Sequence, residues 1–570
     1  MNQPTPAIVS QSAVRRLPRS ALWLFCLAYI LPGFIGRSPW RRDDIVSFGY
    51  MLELANGAGH WLKPTVQGVA PELTALLPYW LGALAIQAAP SGFPLDLAAR
   101  IPFIGLLLLT LLATWYGTYQ LARGRDAQPV PFAFGGEASP PDYARALADG
   151  ALLALIACLG LAQPVHEATP MLAQLCFATL AFYGFAALPS SGPMPAIGVT
   201  LGLIGLTLSG APSLAIVFGL GGTLTLLPVP QQDPVAKRAL LQRMSAVIGL
   251  LVLVALMASN LQLWRWHLVA PPWAWDHWLA QGNLLVWFTW PAWPLSLWTL
   301  WRWRRQLWHR RHLPSRHLLL PIWFAGVALV GALATPSPER SLLLTLPPLA
   351  TMAAFALPTL ERMVAALIDW FTLLFFSGCA CVVWVVWIAI QTGVPWQPAA
   401  NVQRLAPGFS PSFSWLAFAC ALMATTAWLW LVKWRVGRHR AAIWKSLVLP
   451  AGGAALCWLL LMSLWLPLLD YARSDAALVR KISLQLPAGE CVHSYELNTE
   501  QLIALRFHGG LKIRPIGQGG CQWLIVPPNS AAKLASSGVL SDWTLQSNNT
   551  HPVERGDELH LYRLKLTTPP

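Results

Sequence analysis

The chain has 570 residues, 55% of them hydrophobic and only 11% charged, with a formal net charge of +15. Soluble domains carry about 25% charged residues, and long soluble chains split into wetted domains instead of enlarging one core. The composition therefore excludes an ordinary soluble protein and indicates a polytopic membrane protein. Its basic residues lie in short loops between apolar runs, the positive-inside pattern, not on a polar basic domain of the kind that binds nucleic acid.

The N-terminus carries Arg15, Arg16 and Arg19 ahead of an apolar run from 21 to 35. No small-x-small cleavage site follows before Arg37, so the run reads as an uncleaved first span. Windows of about 20 residues find fourteen apolar runs, at 20–36, 74–89, 101–122, 146–163, 171–188, 195–209, 212–228, 244–264, 283–301, 318–335, 341–358, 364–391, 413–433 and 446–468. The loops 237–243, 302–316 and 432–445 are rich in Lys and Arg, among them Arg310, Arg311, Arg438 and Arg440. They belong inside, with the N-terminus. If all fourteen runs cross, every one of these loops falls outside. Withdrawing one early run corrects them together. The run 74–89 is short and contains Pro78, and it is expected to lie in the outer interface. Thirteen spans remain, with outer loops at 37–100, 164–170, 210–211, 265–282, 336–340 and 392–412. Many of the 31 Trp lie beside or near Arg or Pro, with Trp264, Trp266 and Trp273 beside them and Trp275 close by, in keeping with their preference for the membrane interface.

The first outer loop opens with Arg37-Ser-Pro-Trp-Arg-Arg-Asp-Asp44. A carboxylate beside hydrocarbon is costly and marks a functional site by default. Apolar residues at Ile45, Phe48, Met51, Leu52 and Ala55 predict an amphipathic helix over 44–57. Asp44 would then stand at its N-terminus, where an acid favours the dipole, so a helix cap is its structural reading. Asp43 has no such role. The turn Leu161-Ala-Gln-Pro-Val-His-Glu-Ala-Thr-Pro170 puts His166 and Glu167 on the same face. Glu167 is either a solvated turn residue or shares a cavity with Asp43.

A carboxylate here can act as general base on an acceptor hydroxyl, and a leaving phosphate needs cations. Arg340 is suited to grip phosphate bidentately; pairing with Glu339 is the structural alternative. Arg41, Arg42 and Lys63 are further candidates. His60 and His166 are the histidines that could meet a metal, but no HExxH or clustered ligand spacing occurs, and no metal is expected. The chain also lacks GxGxxG and GxxxxGKS phosphate loops, so no nucleotide cofactor is expected.

After Pro467 the sequence turns polar. Residues 469–570 read as a small outer α/β domain, with strands at Trp523-Leu-Ile-Val-Pro527 and Leu559-His-Leu-Tyr-Arg-Leu564 and a helix near 502–507. Of nine cysteines, only Cys491 and Cys521 lie in polar sequence. They are free thiols or, outside the cytoplasm, a disulfide.

An acidic pair opening a long outer loop and a second acid after the third span resemble the GT-C superfamily of glycosyltransferases. Within it the likeness is to the ArnT-like group, the lipid A aminoarabinose transferases, and to the related protein mannosyltransferases. Pro78-Tyr-Trp-Leu-Gly82 resembles the family's interfacial helix, and Ala98-Ala-Arg-Ile-Pro102 the opening of its second span. Arg340 precedes Leu346-Pro-Pro348 as a basic residue does in the family, and Leu466-Pro-Leu-Leu-Asp-Tyr-Ala-Arg-Ser474 resembles the end of its last span. Two stretches depart from the pattern. Leu73-Thr-Ala-Leu-Leu-Pro78 and Leu208-Ser-Gly-Ala-Pro212 lack the lysines found there in the family. The second acid is Glu where Asp is usual.

The resemblance implies an α-helical polytopic membrane protein of about 13 transmembrane helices over 1–468, with interfacial helices in the loop 37–100. A periplasmic α/β domain would follow over 469–570. It implies transfer of a sugar from a polyprenyl-phosphate donor to a lipid or glycan acceptor, among membrane lipids, at the outer face of a bacterial inner membrane. Asp43 would be the base, with Asp44 and Glu167 as the other acids. Arg340, Lys63, Arg42, His166 and Tyr79 would bind donor phosphate or substrate. The alternatives are a transporter or lipid flippase, for which repeats and broken spans are the signature, or a non-catalytic envelope assembly protein.

Overall fold

Every apolar run becomes helix. The computed structural model describes residues 5–190, 192–227, 234–264, 273–307, 315–335, 337–436, 442–487, 489–554 and 556–565. Arg310, Arg311, Arg438, Arg440 and Trp266 lie outside them. Among the described residues, eight helices are long and apolar enough to cross a membrane: Leu95–Ala122, Pro170–Ala187, Lys237–Asn260, Arg316–Leu333, Pro338–Thr359, Arg362–Thr392, Trp415–Arg435 and Ile443–Leu464. Shorter apolar helices occupy Arg19–Ile30, Met194–Leu208 and Pro212–Leu224. The run 283–301, expected as one span, is instead two helices, Trp275–Phe288 and Ala292–Arg302. Pro291, which lacks the N–H that would continue the ladder, sits at the break. Small residues let helices close on one another: a Cβ on Gly202 would stand 2.5 Å from the backbone nitrogen of Ala181.

The loop after the first helix folds into two helices of its own, Asp43–Ala55 and Leu77–Ala88. The first begins one residue earlier and ends two residues earlier than predicted. The second has 12 residues, about 18 Å at the helical rise, well short of the roughly 30 Å of hydrocarbon in a bilayer. It lies against the first, where Gly82 leaves room for Met51: a Cβ there would come within 2.2 Å of its sulfur.

The C-terminal part is built on a five-stranded sheet. Its strands are β1 (Cys491–Ser494), β2 (Lys512–Pro515), β3 (Trp523–Val526), β4 (Trp543–Thr550) and β5 (Glu558–Leu564). The spatial order is β2-β1-β3-β5-β4. β1 runs parallel to β2 and β3, while β5 is antiparallel to β3 and β4. A parallel pair needs a crossover, and the Thr499–Gly509 helix supplies it between β1 and β2. Asn498 and Gln501 close a capping box at its start. Cys491 and Cys521 form a disulfide with Cα atoms 5.2 Å apart, which resolves the alternative the sequence left open. One buried cluster runs from the helical bundle through Phe48 and Met51 into Leu502, Ile503 and Leu505, so sheet domain and bundle share a core.

Candidate functional site

The chain enters the Asp43–Ala55 helix through a strained turn. Arg42 has φ +67° and ψ −121°, a conformation that side chains with a Cβ rarely adopt. Such strain costs about 1–3 kcal/mol and persists only where the surroundings over-determine it. The two acids then occupy the first turn, about 100° apart around the helix axis, and meet different fates. The Asp44 side chain is 1% exposed and that of Asp43 41%.

Asp44 accepts hydrogen bonds from Arg37 Nη1 at 2.6 Å, the Trp40 backbone N–H at 3.0 Å and the Ala168 backbone N–H at 2.9 Å. None of these is a free amide of its own helix, which corrects the capping role. Asp44 instead ties the loop 37–100 to the 163–170 turn. Burial opposes its charge, but Arg37 and Arg100 outweigh burial and hold its carboxyl below the ordinary range. Arg37 also donates to the carbonyls of Gly33 and His166, and Arg100 to that of Arg37.

Asp43 faces the other way, toward Arg340, whose Nη2 lies 3.1 Å from each carboxylate oxygen. The alternative pairing with Glu339 is not formed. Arg340 is in the first turn of the Pro338–Ala356 helix and lines a cavity of about 740 Å³. Its walls are mostly apolar, with Val217, Trp323, Val327 and Val330 from the Pro212–Leu224 and Arg316–Leu333 helices. Glu72, Gln174, Ser337 and Ser341 add polar groups near Arg340. Both stretches that lack the expected lysine, at Leu73 and at Gly210-Ala-Pro212, line the same cavity. They are also bonded to each other, the Leu76 backbone N–H donating to the carbonyl of Leu208 at 2.7 Å.

Tyr79 is buried against Tyr50, ring centres 5.3 Å apart. Burial raises its phenol well above the ordinary value, and the charges of Asp43, Arg340 and Glu72 act on it. Glu167 is half-buried and accepts from Gln163 at 3.2 Å. Burial, then the neighbouring charge of Asp44, push its carboxyl up to about 7, with Asp43 also contributing. Asp43, Arg340, Tyr79 and Glu167 thus share one electrostatic neighbourhood.

Other candidates are not drawn in. His166 is 1% exposed and packs against Tyr29, Phe34 and Trp458. Its ring nitrogens face the carbonyls of Ala162 and Tyr29, leaving neither for a substrate. That corrects its assignment as a binding residue; it is a packing residue. Arg42 and Lys63 are exposed, and neither side chain is bonded to Asp43 or Arg340. Among the described residues, no cluster of three His, Cys, Asp or Glu side chains has metal-holding geometry.

Three residues that the sequence reading did not single out support the site. Arg37 and Arg100 are the buried cations beside Asp44. Asp470 accepts from the Ser38 backbone at 2.9 Å, the Ser38 hydroxyl at 3.0 Å and Trp40 Nε1 at 3.2 Å. Arg100 and Asp470 lie inside stretches already matched to family motifs, which was the available signal; Arg37 lies six residues before the acidic pair and carried none.

The whole chain resembles solved structures of ArnT from Cupriavidus metallidurans. The form bound to undecaprenyl phosphate is 12% identical, with a TM-score of 0.60 over 97% of this chain and 100% of that one. The apo form is 14% identical, with a TM-score of 0.59 over 97% of this chain and 99% of that one. No protein-family model and no curated protein matches. At these identities the likeness establishes the fold alone: the chain shares the overall architecture of those ArnT structures.

Proposed function

We propose that this protein is a membrane glycosyltransferase that moves a sugar from a polyprenyl-phosphate donor to a lipid or other envelope acceptor. The observation that carries the reading is the meeting of Asp43 and Arg340, distant in sequence, beside an apolar cavity of about 740 Å³. That volume lies within the usual range for ligand sites, about 300–1,000 Å³. Its walls suit the phosphate-proximal end of a prenyl chain, and its cation suits the phosphate. One solved structure with this fold holds undecaprenyl phosphate.

In the proposed reaction the acceptor hydroxyl gives its proton to Asp43 and its oxygen bonds to the anomeric carbon. The bond from that carbon to the phosphate oxygen breaks, and its electron pair leaves on polyprenyl phosphate. Arg340 stabilises the charge that develops there, through charge-assisted hydrogen bonds. Tyr79, buried in the neighbourhood of Asp43 and Arg340, keeps its phenolic proton and serves in this reading only as a hydrogen-bond donor toward the donor phosphate. Arg42 and Lys63, exposed on the same loop, are additional cations for its approach. Glu167, whose carboxyl is raised to about 7, is partly protonated near neutrality and so places less charge beside Asp43. Asp44 positions the loop.

The proposal includes thirteen crossings, a cytoplasmic N-terminus, and a division at 468/469 into transmembrane and periplasmic domains of a bacterial inner-membrane protein. The positive-inside pattern supports this orientation. The test is transfer by the full chain in nanodiscs, supplied with polyprenyl-phosphate sugars and envelope lipids. Asp43→Asn should lower turnover by about 10²–10⁴-fold with donor binding retained. Wild-type turnover in that variant removes Asp43 as the base. A wild-type protein that neither transfers sugar nor binds polyprenyl phosphate rejects the whole reading.

A further inference from the structure

We infer that the C-terminal domain is a working part of this site: four of its carboxylates grip Arg41 and thereby fix the turn that presents Asp43. The inference rests on the reading of Asp43 as the base.

The sequence offered Arg41 and Arg42 as equivalent phosphate ligands. The strained turn throws them apart. Arg42 points to solvent, while Arg41 enters the C-terminal domain, where its side chain is 15% exposed. Its Nε lies 3.0 Å from Asp475 and 3.2 Å from Glu500, Nη1 pairs with Glu554, and Nη2 with Asp557. The Arg41 backbone N–H also donates to the carbonyl of Arg473 at 2.8 Å. Each guanidinium nitrogen faces a carboxylate: Glu500, Glu554 and Asp557 accept its hydrogen bonds, and Asp475 lies within ion-pair distance of Nε without accepting one. The same helix is held further along. Phe48 meets Phe507 edge-on at 4.7 Å, Glu53 pairs with Arg506, and Gly49 lets Ile503 approach so closely that a Cβ would meet it at 2.1 Å.

Plain docking would be served by one acid. Three hydrogen-bonded carboxylates around one cation leave two formal negative charges in excess, like charges this close repel, and burial with these acidic neighbours pushes the fourth acid, Asp475, up to about 7. Such a cluster fixes geometry at the expense of stability. What needs fixing is adjacent: the strained Arg42, one residue on, and Asp43, two residues on. A guanidinium fork with acids on all edges sets both position and orientation, which a single hydrogen bond cannot do. Arg41 is therefore a positioning residue, and the domain is the frame that over-determines the strained turn.

The test uses the full chain in nanodiscs with a polyprenyl-phosphate sugar donor. Turnover is expressed per donor site, counted by binding of polyprenyl phosphate, so that loss of folded protein does not pass for loss of rate. Arg41→Gln should lower kcat at least tenfold with donor KM within twofold, and should speed hydrogen exchange of amides 40–48. Arg41→Lys should recover part of both. If Arg41→Gln does not fold, the double variant Glu500→Gln/Asp557→Asn, which keeps Arg41, replaces it with the same expectations. Wild-type kcat per site in the variant overturns the inference. If the wild type transfers no sugar, the proposed function fails, and exchange alone then judges the clamp: faster exchange supports it and unchanged exchange overturns it.

Discussion

Arg340 engages Asp43 through a single nitrogen, Nη2, equidistant at 3.1 Å from both carboxylate oxygens. Among the described residues its other guanidinium nitrogens have no hydrogen-bond partner, so they are placed to meet a phosphate from the cavity that Arg340 lines. One cation therefore links the proposed base to the proposed leaving group. In the proposed reaction the donor phosphodiester carries one negative charge, as Asp43 does, and the leaving phosphate monoester carries more, so Arg340 would shift from Asp43 toward the phosphate as the leaving group forms.

The first prediction concerns that cation. A hydrogen bond to a charged group is worth about 1.5–3 kcal/mol, or roughly 10- to 100-fold in affinity. Arg340→Gln should weaken binding of polyprenyl phosphate by that factor, measured by titration in nanodiscs. Arg340→Lys, which keeps the charge and loses the fork, should fall between the two. An unchanged affinity in Arg340→Gln would remove Arg340 from the phosphate site.

The second prediction separates the two acids. Breaking a buried ion pair costs about 3–5 kcal/mol because the remaining charge is stranded, whereas exposed pairs contribute about 0–1 kcal/mol. Asp44→Asn strands Arg37, whose side chain is 1% exposed, and should clearly lower the thermal midpoint. Asp43→Asn should change stability by no more than about 1 kcal/mol, leave the midpoint close to that of wild type, and act on turnover. Thermal unfolding of both variants in one detergent checks this. Equal midpoints would contradict the structural role of Asp44.

The distinction between these acids was partly legible in the sequence. Helical periodicity separates Asp43 from Asp44 and leaves Asp43 free. It cannot name the partner of Asp44, because the Ala168 amide comes from a turn 124 residues away. His166 was misread for a similar reason. Beside Glu167 it looks like a site residue, and only the arrival of Tyr29, Phe34 and Trp458 from two other segments makes it a packing residue. Apolar runs announce helices because hydrocarbon demands them, but the length of the run 283–301 hid its break at Pro291. Arg41 and Arg42 are neighbours of one residue type. What separates them is a backbone turn and four acids scattered from 475 to 557, with no spacing that a motif could record.

The third prediction concerns the disulfide. Cys491 and Cys521 are 30 residues apart, and closing a loop of that size stabilises by about 3–4 kcal/mol in the chain-entropy model. The bridge ties the start of β1 to the residue two before β3, in the domain whose helices and β4–β5 connection carry the Arg41 clamp. Cys491→Ala/Cys521→Ala should loosen the sheet domain by about that amount, read as faster exchange of β1 and β3 amides. It should also lower turnover if the domain positions Asp43. Exchange at wild-type rates would show that the sheet needs no bridge.

The last prediction concerns pH. Burial pushes the Asp475 carboxyl from an ordinary 3.8 up to about 7; Arg41 opposes the rise, and Glu500, Asp557 and Glu554 reinforce it. The docked domain therefore binds a proton more tightly than the released one. By linkage, the stabilisation is complete below about pH 4 and is lost as pH rises from there through about 7. Ionisation of Asp475 then adds a charge to an already acidic cluster, so this group weakens docking over that interval. His551, whose Nε2 faces the carbonyl of Ser474 at 3.3 Å, works in the opposite sense. Burial holds its imidazole below the ordinary 6.5, so acid weakens docking through it. The difference between wild type and Asp475→Asn isolates the carboxyl. Hydrogen exchange of amides 40–48 should accelerate from pH 5 to 8, after correction for the intrinsic rate, in wild type and much less in Asp475→Asn. Parallel profiles in the two proteins would mean that Asp475 carries no proton into the docked state, and the acidic cluster would then hold Arg41 with all four charges present.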